Sequence, residues 1–303
     1  MIYCDTRLGD KPRYFLGLPK DVGMRIPDDL KECVVFLCVK SGNRFSYRGT
    51  AFFVIVPSET DSSTFYIYLV TAKHCVERAK QHGSLFVRLN TKAGGFEVIE
   101  ITEAWYFSEN EGVDLAVLEA GFSYHDFQYK VIPSDWFVTD TIAEDYGIGI
   151  GDDLYLCGLF TSRHGSKRNI PIVRGGIIAS MPEELLIDFD TGYEFNAYLA
   201  EVRSIGGLSG SPVFVFLNRG PVNGPLRFEQ KFFLLGVVRG HWDTKRGDAA
   251  LDFAGDDLSA VNKGIATITP SQELSSILYS DALVKLRRAN DLERLRENAE
   301  TLD

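Results

Sequence analysis

Short apolar runs separated by polar turns fill the chain from about residue 33 to residue 268. In the first half they are 33–39 (CVVFLCV), 50–56 (TAFFVIV), 65–71, 85–89, 96–101 and 113–118. In the second half they are 153–160, 171–179, 197–202, 212–217, 231–238 and 264–268. Val, Ile, Phe and Tyr dominate them, and Ser, Gly, Asn and Asp mark the breaks, which predicts an all-β fold of many short strands. Buried helical segments are the other reading of such runs, but each is too short for a typical helix. A less regular stretch at about 120–150 divides the two series, so two β-rich halves joined by a linker are expected. No short fixed repeat is visible.

The pattern changes at the tail. Thr269-Pro270-Ser271-Gln272 reads as a helix start, with Thr269 as cap, Pro270 in the first helical position and Gln272 closing a capping box. Leu274, Ile277, Leu278, Ala282, Leu286 and Ala289 then recur at helical spacing. One terminal helix packed on the second half, with its charged end in solvent, is predicted; a partner-binding helix is the alternative. The expected divisions are therefore an irregular extension (1–30), a first β unit (31–132), a linker (133–150), a second β unit (151–269) and a terminal helix (270–303).

Composition narrows the function classes. The 303 residues are 45% hydrophobic and 24% charged, enough apolar content for a large core and too much for a disordered chain. The net charge of −10 and the lack of a basic stripe argue against nucleic-acid binding. The longest apolar stretches, such as FFLLGVV at 232–238, are far short of the roughly 20 residues that cross a bilayer, so no membrane role is expected. Five cysteines at irregular spacing, behind an N-terminus with no signal-like apolar run, predict reduced thiols and a cytoplasmic setting. Cys33 and Cys38 are expected to be core thiols. No C-x-x-C pair suggests a zinc site, and no metal or other cofactor is expected.

Three passages carry chemistry. Leu69-Val70-Thr71-Ala72-Lys73-His74-Cys75 runs from a strand straight into a histidine. Gly112-Val113-Asp114-Leu115-Ala116-Val117-Leu118 puts an aspartate ahead of an apolar strand. Gly206-Gly207-Leu208-Ser209-Gly210-Ser211-Pro212-Val213 places a serine in a glycine-rich turn. Acyl transfer by a serine needs a base to take its proton, and histidine is suited to that task near neutral pH. A buried carboxylate must hold the imidazole in the right tautomer, and backbone N–H groups must meet the oxyanion. Each passage alone is commonplace, but together and in the order His, Asp, Ser they are specific. Gly147-Ile148-Gly149-Ile150-Gly151 lacks the spacing and following helix of a nucleotide-binding loop and reads as a turn.

These passages resemble the motifs of trypsin/chymotrypsin-like serine proteases, above all bacterial members without disulfides. Thr71-Ala72-Lys73-His74-Cys75 matches the family's Thr-Ala-Ala-His-Cys, Asp114-Leu115-Ala116-Val117-Leu118 its aspartate motif, and Gly207-Leu208-Ser209-Gly210-Ser211-Pro212 its serine motif. The serine passage is similar to that of bacterial glutamyl endopeptidases. The resemblance covers roughly residues 33–270 and implies two perpendicular six-stranded antiparallel β-barrels, with the active site in the crevice between them and the helix at the C-terminus. It implies a serine endopeptidase working through an acyl-enzyme on protein or peptide substrates. Ser209 would be the nucleophile, His74 the base and then the acid, and Asp114 the orienting carboxylate. Gly207 and Ser209 N–H groups would form the oxyanion hole, and Val238, Arg239, Gly240 and His241 would pair with an extended substrate.

Two departures matter. Secreted members carry an aspartate just before the nucleophile to capture a new N-terminus after zymogen cleavage, and Leu208 stands there in this chain. The partner that Cys75 would need for the family's disulfide is missing from 46–52 (SYRGTAF). The oxyanion hole must then be ordered another way, or by a regulatory protein partner acting through the terminal helix. Counting back from Ser209 puts Arg203 at the floor of the primary pocket with Ser204 beside it, and Arg239 and His241 near its wall. A preference for an acidic residue before the scissile bond follows; a small apolar pocket with Arg203 in solvent is the alternative. A catalytically silent fold of this kind, acting as a protein-binding module, is the competing function. An esterase on another fold would usually order its triad Ser, Asp, His, which differs from the order here.

Overall fold

The computed structural model describes residues 26–61, 64–188, 191–202, 207–224, 231–243 and 262–300. The expected extension at 1–30 falls largely outside these residues, as do Cys4, Arg203, Ser204 and Gly206.

A short helix, α1 (Asp29–Glu32), leads into the first β unit. Its strands are β1 (Val34–Ser41), β2 (Arg44–Pro57), β3 (Phe65–Thr71), β4 (Leu85–Asn90), β5 (Phe96–Ile101), β6 (Tyr106–Phe107), β7 (Ala116–Glu119) and β8 (Ile132–Pro133). Helix α2 (Lys73–Lys80) follows β3 directly. The sheet runs β5-β4-β1-β2-β3-β7-β6, with β8 parallel to β2. Among the described residues the ladders of this unit make one eight-stranded sheet. Among the described residues β5 pairs with β4 and the two-residue β6 with β7, and no ladder joins the two ends. Side chains of Ile101, Trp105 and Phe107 pack on the unit's core there instead.

After helix α3 (Asp140–Tyr146), the second unit comprises β9 (Asp153–Gly158), β10 (Ile172–Ser180), β11 (Leu186–Ile187), β12 (Glu194–Phe195), β13 (Tyr198–Glu201), β14 (Pro212–Leu217), β15 (Lys231–Asp243) and β16 (Asn262–Pro270). Six of these close as a barrel in the order β10-β13-β16-β15-β14-β9, and β11 and β12 form a separate hairpin. Gly147, left-handed at φ +57°, ends α3, so the glycine run at 147–151 is a helix stop and turn. The architecture is mostly β, with one closed barrel, a second sheet system and a helical C-terminus, as the motifs imply.

The apolar runs are continuous because these strands are buried on both faces. Along β2, Ala51, Phe53 and Ile55 enter the core of the first unit. Phe52, Val54 and Val56 face the other way, into a cluster shared with Cys157, Leu159, Phe214 and Leu234 of the second unit. A third cluster fills the barrel, from Leu154 and Leu156 to Ala266 and Ile268.

The tail departs from expectation in two ways. Thr269 lies in β16 with its buried hydroxyl unpartnered, and Pro270 precedes the helix without a side-chain cap, so there is no capping box. There are two helices, α4 (Ser271–Leu278) and α5 (Asp281–Glu300), and the second docks on the first β unit. The sequence marks the break at Ser280, a residue type favoured at helix starts, just before α5. Helix α4 buries Leu274, Ile277 and Leu278 in the cluster between the units. Along α5, the fully buried Arg287 donates to the Tyr68 hydroxyl and pairs with Glu59. Asp291 accepts from Ser58 (2.6 Å), Thr60 (2.5 Å) and Tyr66 (2.6 Å). The charged stretch is thus a docking face, because its ions meet partners in the 58–61 loop. No helix among the described residues is long and apolar enough to cross a membrane.

Candidate active site

Asp114 lies in the loop before β7 and is almost entirely buried. An apolar residue on each side, Val113 and Leu115, is buried in the interlobe cluster. Asp114 Oδ2 accepts from His74 Nδ1 at 2.7 Å, and its Oδ1 accepts from the His74 backbone N–H at 2.9 Å. His74 is the second residue of α2, where helical N–H groups lack intrahelical partners. One carboxylate therefore holds a helix N-terminus and orients the ring on it. An ionised carboxylate only accepts, so Nδ1 carries the proton and Nε2 of the neutral ring presents its lone pair.

That nitrogen faces Cys75. Its Sγ lies 3.6 Å from His74 Nε2 and 3.8 Å from the Ser209 carbonyl oxygen. Among the described residues no hydrogen bond joins the Ser209 hydroxyl to His74. Burial works against a charged imidazole, but Asp114 and Cys75 outweigh it and His74 is pushed up to about 10. The four described cysteines, Cys33, Cys38, Cys75 and Cys157, are free and buried. Burial pushes Cys38 and Cys157 up to about 12, consistent with inert core thiols.

The Ser209 turn is built by two left-handed glycines, Gly207 at φ +98° and Gly210 at φ +80°. A Cβ on Gly210 would fall 2.2 Å from the Thr50 carbonyl oxygen, so only glycine fits. Leu208 is fully buried in the barrel core. Gly210 N–H donates to the Val238 carbonyl at 2.8 Å and Val238 N–H to the Ser211 carbonyl at 2.9 Å. Val238 therefore spends both backbone groups on the turn and its side chain on the core, which removes it from the expected substrate edge.

Arg239 is also committed. It donates to the Gly112 carbonyl at 2.7 Å and to Asp188 Oδ2 at 2.6 Å, with its guanidinium 3.9 Å from the Phe195 ring centre. It thus ties the Asp114 loop to the β11–β12 hairpin, and its charge is matched before any substrate arrives. His241 is exposed at the end of the described part of this edge. Beyond Val237, β15 pairs with β16 on one side and no longer with β14 on the other. No group of His, Cys, Asp and Glu among the described residues could hold a metal ion.

Sequence reasoning missed Thr50, Asp188 and the closeness of Cys75 to the ring. Thr50 offered one signal, a polar residue at the head of an apolar strand; Asp188 offered none.

No protein-family model matches the chain, and no curated protein matches it. Similar solved structures include the MamO protease domain from Magnetospirillum magneticum in its apo form, at 14% identity over 82% of this chain and 96% of that one, with a TM-score of 0.49. Deg5 is similar at 14% identity over 83% and 92%, with a TM-score of 0.47. The Drosophila Grass clip serine protease of the Toll pathway is similar at 12% identity over 87% and 73%, with a TM-score of 0.46.

Proposed function

We propose that this chain is a serine endopeptidase that cleaves protein substrates through His74, Asp114 and Ser209. The observation that carries the reading is the half-buried pair between His74 Nδ1 and Asp114 Oδ2 at 2.7 Å, with the neighbouring Cys75 against the Ser209 carbonyl. Ser209 Oγ attacks the substrate carbonyl while His74 Nε2 takes its proton, forming a tetrahedral oxyanion that the Gly207 and Ser209 N–H groups receive. Collapse expels the amine, which leaves with the proton returned by His74. Water then repeats the sequence on the acyl ester and restores Ser209. Asp114 stabilises the imidazolium without itself being protonated. An extended substrate fits the open edge of β15 from Arg239 onward, by strand addition.

Labelling with a fluorophosphonate tests this reading. Ser209 is expected to react, with labelling lost in Ser209→Ala and strongly reduced in His74→Ala. A second reading, a silent fold that binds proteins, is favoured by the Cys75 thiol facing His74 Nε2 and by the lack of a Ser209–His74 hydrogen bond. Absence of labelling across the pH range would decide for it.

A further inference from the structure

Thr50 is fully buried at the junction of the histidine and serine segments, and its polar atoms are all used. Its N–H donates to the Ser209 carbonyl at 3.0 Å. Its hydroxyl donates to the Gly207 carbonyl at 2.8 Å and accepts from the Leu159 N–H at 2.9 Å. Its carbonyl accepts from the Thr71 hydroxyl at 2.7 Å, three residues before His74. Four bonds from one residue of β2 thus reach Thr71 at the end of the strand that leads to His74, Leu159, the nucleophile itself, and the glycine assigned to the oxyanion hole.

We propose that Thr50 is the positioning residue that locks the oxyanion-forming turn, so that Gly207 and Ser209 are held in register with His74 from within the chain. The inference rests on the peptidase reading and names how its site is ordered. The lock is side-chain specific. Any residue could supply the N–H to Ser209, but only a hydroxyl can donate to Gly207 while accepting from Leu159. Its neighbourhood is closed to slack: a Cβ on Gly207 would touch Leu159 and Thr161, and one on Gly158 would fall 2.9 Å from the Thr50 hydroxyl. Loss of the hydroxyl leaves the half-buried Gly207 carbonyl and the buried Leu159 N–H without this partner, and the turn must move to satisfy them. Thr50 touches no substrate atom, so its effect belongs in the rate of acylation.

The test compares Thr50→Val, of equal shape without the hydroxyl, with Thr50→Ser, which keeps it. Thr50→Val is expected to slow fluorophosphonate labelling of Ser209 by about 10- to 100-fold, the cost of misplacing reacting groups by a fraction of an ångström to an ångström. The pH midpoint of labelling should stay in place, because the His74–Asp114 pair is untouched. Thr50→Ser should label near the wild-type rate. Hydrogen exchange supplies a readout independent of activity: Thr50→Val should speed exchange in 157–161 and 207–213 while other strands stay protected, and Thr50→Ser should not. Equal labelling and equal exchange in wild type and Thr50→Val would overturn the proposal. Should Thr50→Val fail to fold, Thr50→Cys, with its weaker donor, takes its place under the same criteria. A wild type that never labels counts against the peptidase reading, and the exchange comparison then decides Thr50 alone.

Discussion

Arg239 and Asp188, 51 residues apart, meet at 2.6 Å where the β11–β12 hairpin approaches the loop that carries Asp114. Arg239, expected near the wall of the primary pocket, is already paired and works as a clamp. Arg239→Met is expected to lower stability by about 1–3 kcal/mol, the range for losing hydrogen bonds to a charged group. It should also slow Ser209 labelling, because Gly112 is released two residues from Asp114. Chemical denaturation and labelling kinetics check both, and profiling with a peptide library should show that Arg239→Met leaves any preference for Asp or Glu unchanged.

The pH dependence of labelling follows from His74. Its ring must be neutral to accept the Ser209 proton, and its folded value is raised, so the rate should climb with pH well above the ordinary histidine midpoint of about 6.5. Cys75→Ala removes one of the two groups that raise it and frees Nε2. The rate at neutral pH should increase, by about tenfold for each unit the midpoint falls. An unchanged profile in Cys75→Ala would show that the thiol does not compete for the ring.

Gly112 has no room for a side chain: an added Cβ would lie 1.9 Å from the Glu194 carbonyl oxygen. Gly112→Ala should push the hairpin and the aspartate loop apart. Labelling at Ser209 is expected to fall to the level of His74→Ala, while circular dichroism still reports a folded β protein.

The docking of α5 predicts an acid-sensitive strap. Burial opposes ionisation of Asp291, but its bonds from Ser58, Thr60 and Tyr66 and the Arg294 charge hold it below the usual carboxylate range. A depressed folded value means its contribution is fully present above about pH 4 and is lost as pH falls through that lower value. Asp291→Asn should reduce stability at neutral pH and flatten its fall in acid, as thermal unfolding across pH would show. Arg287→Met, which leaves Glu59 without its partner, should cost about 3 kcal/mol.

The strands were legible because their positions are determined locally. Runs 65–71 and 212–217 coincide with β3 and β14, since strands buried on both faces must be apolar throughout, and 96–101 coincides with the more exposed β5. The pairing of His74 with Asp114 and its approach to the Ser209 turn were legible through short motifs whose glycines and small residues have narrow geometric uses. Helix α2 was not: Lys73–Lys80 is eight mostly polar residues with no starting cap, stabilised by Asp114 from 40 positions away. The opening of the first sheet depends on which edges find partners, and the apolar pattern carries no record of that. Nor could charge reveal its own role. Arg239, Arg287 and Asp291 read as solvent or substrate groups until the segments that satisfy them were in place.

Three arginines share one office. Arg88, 1% exposed on β4, holds the carbonyls of His164 and Gly165 across from it; Arg239 reaches back to Gly112; Arg287 fastens the terminal helix to Glu59 and Tyr68. A greasy joint tolerates sliding, because contact is gained nearly as fast as it is lost. Guanidinium forks do not, since each bond has a direction. Arg88 and Arg239 thereby peg the two β units together like a mortised frame, fixing direction where apolar contact alone would not.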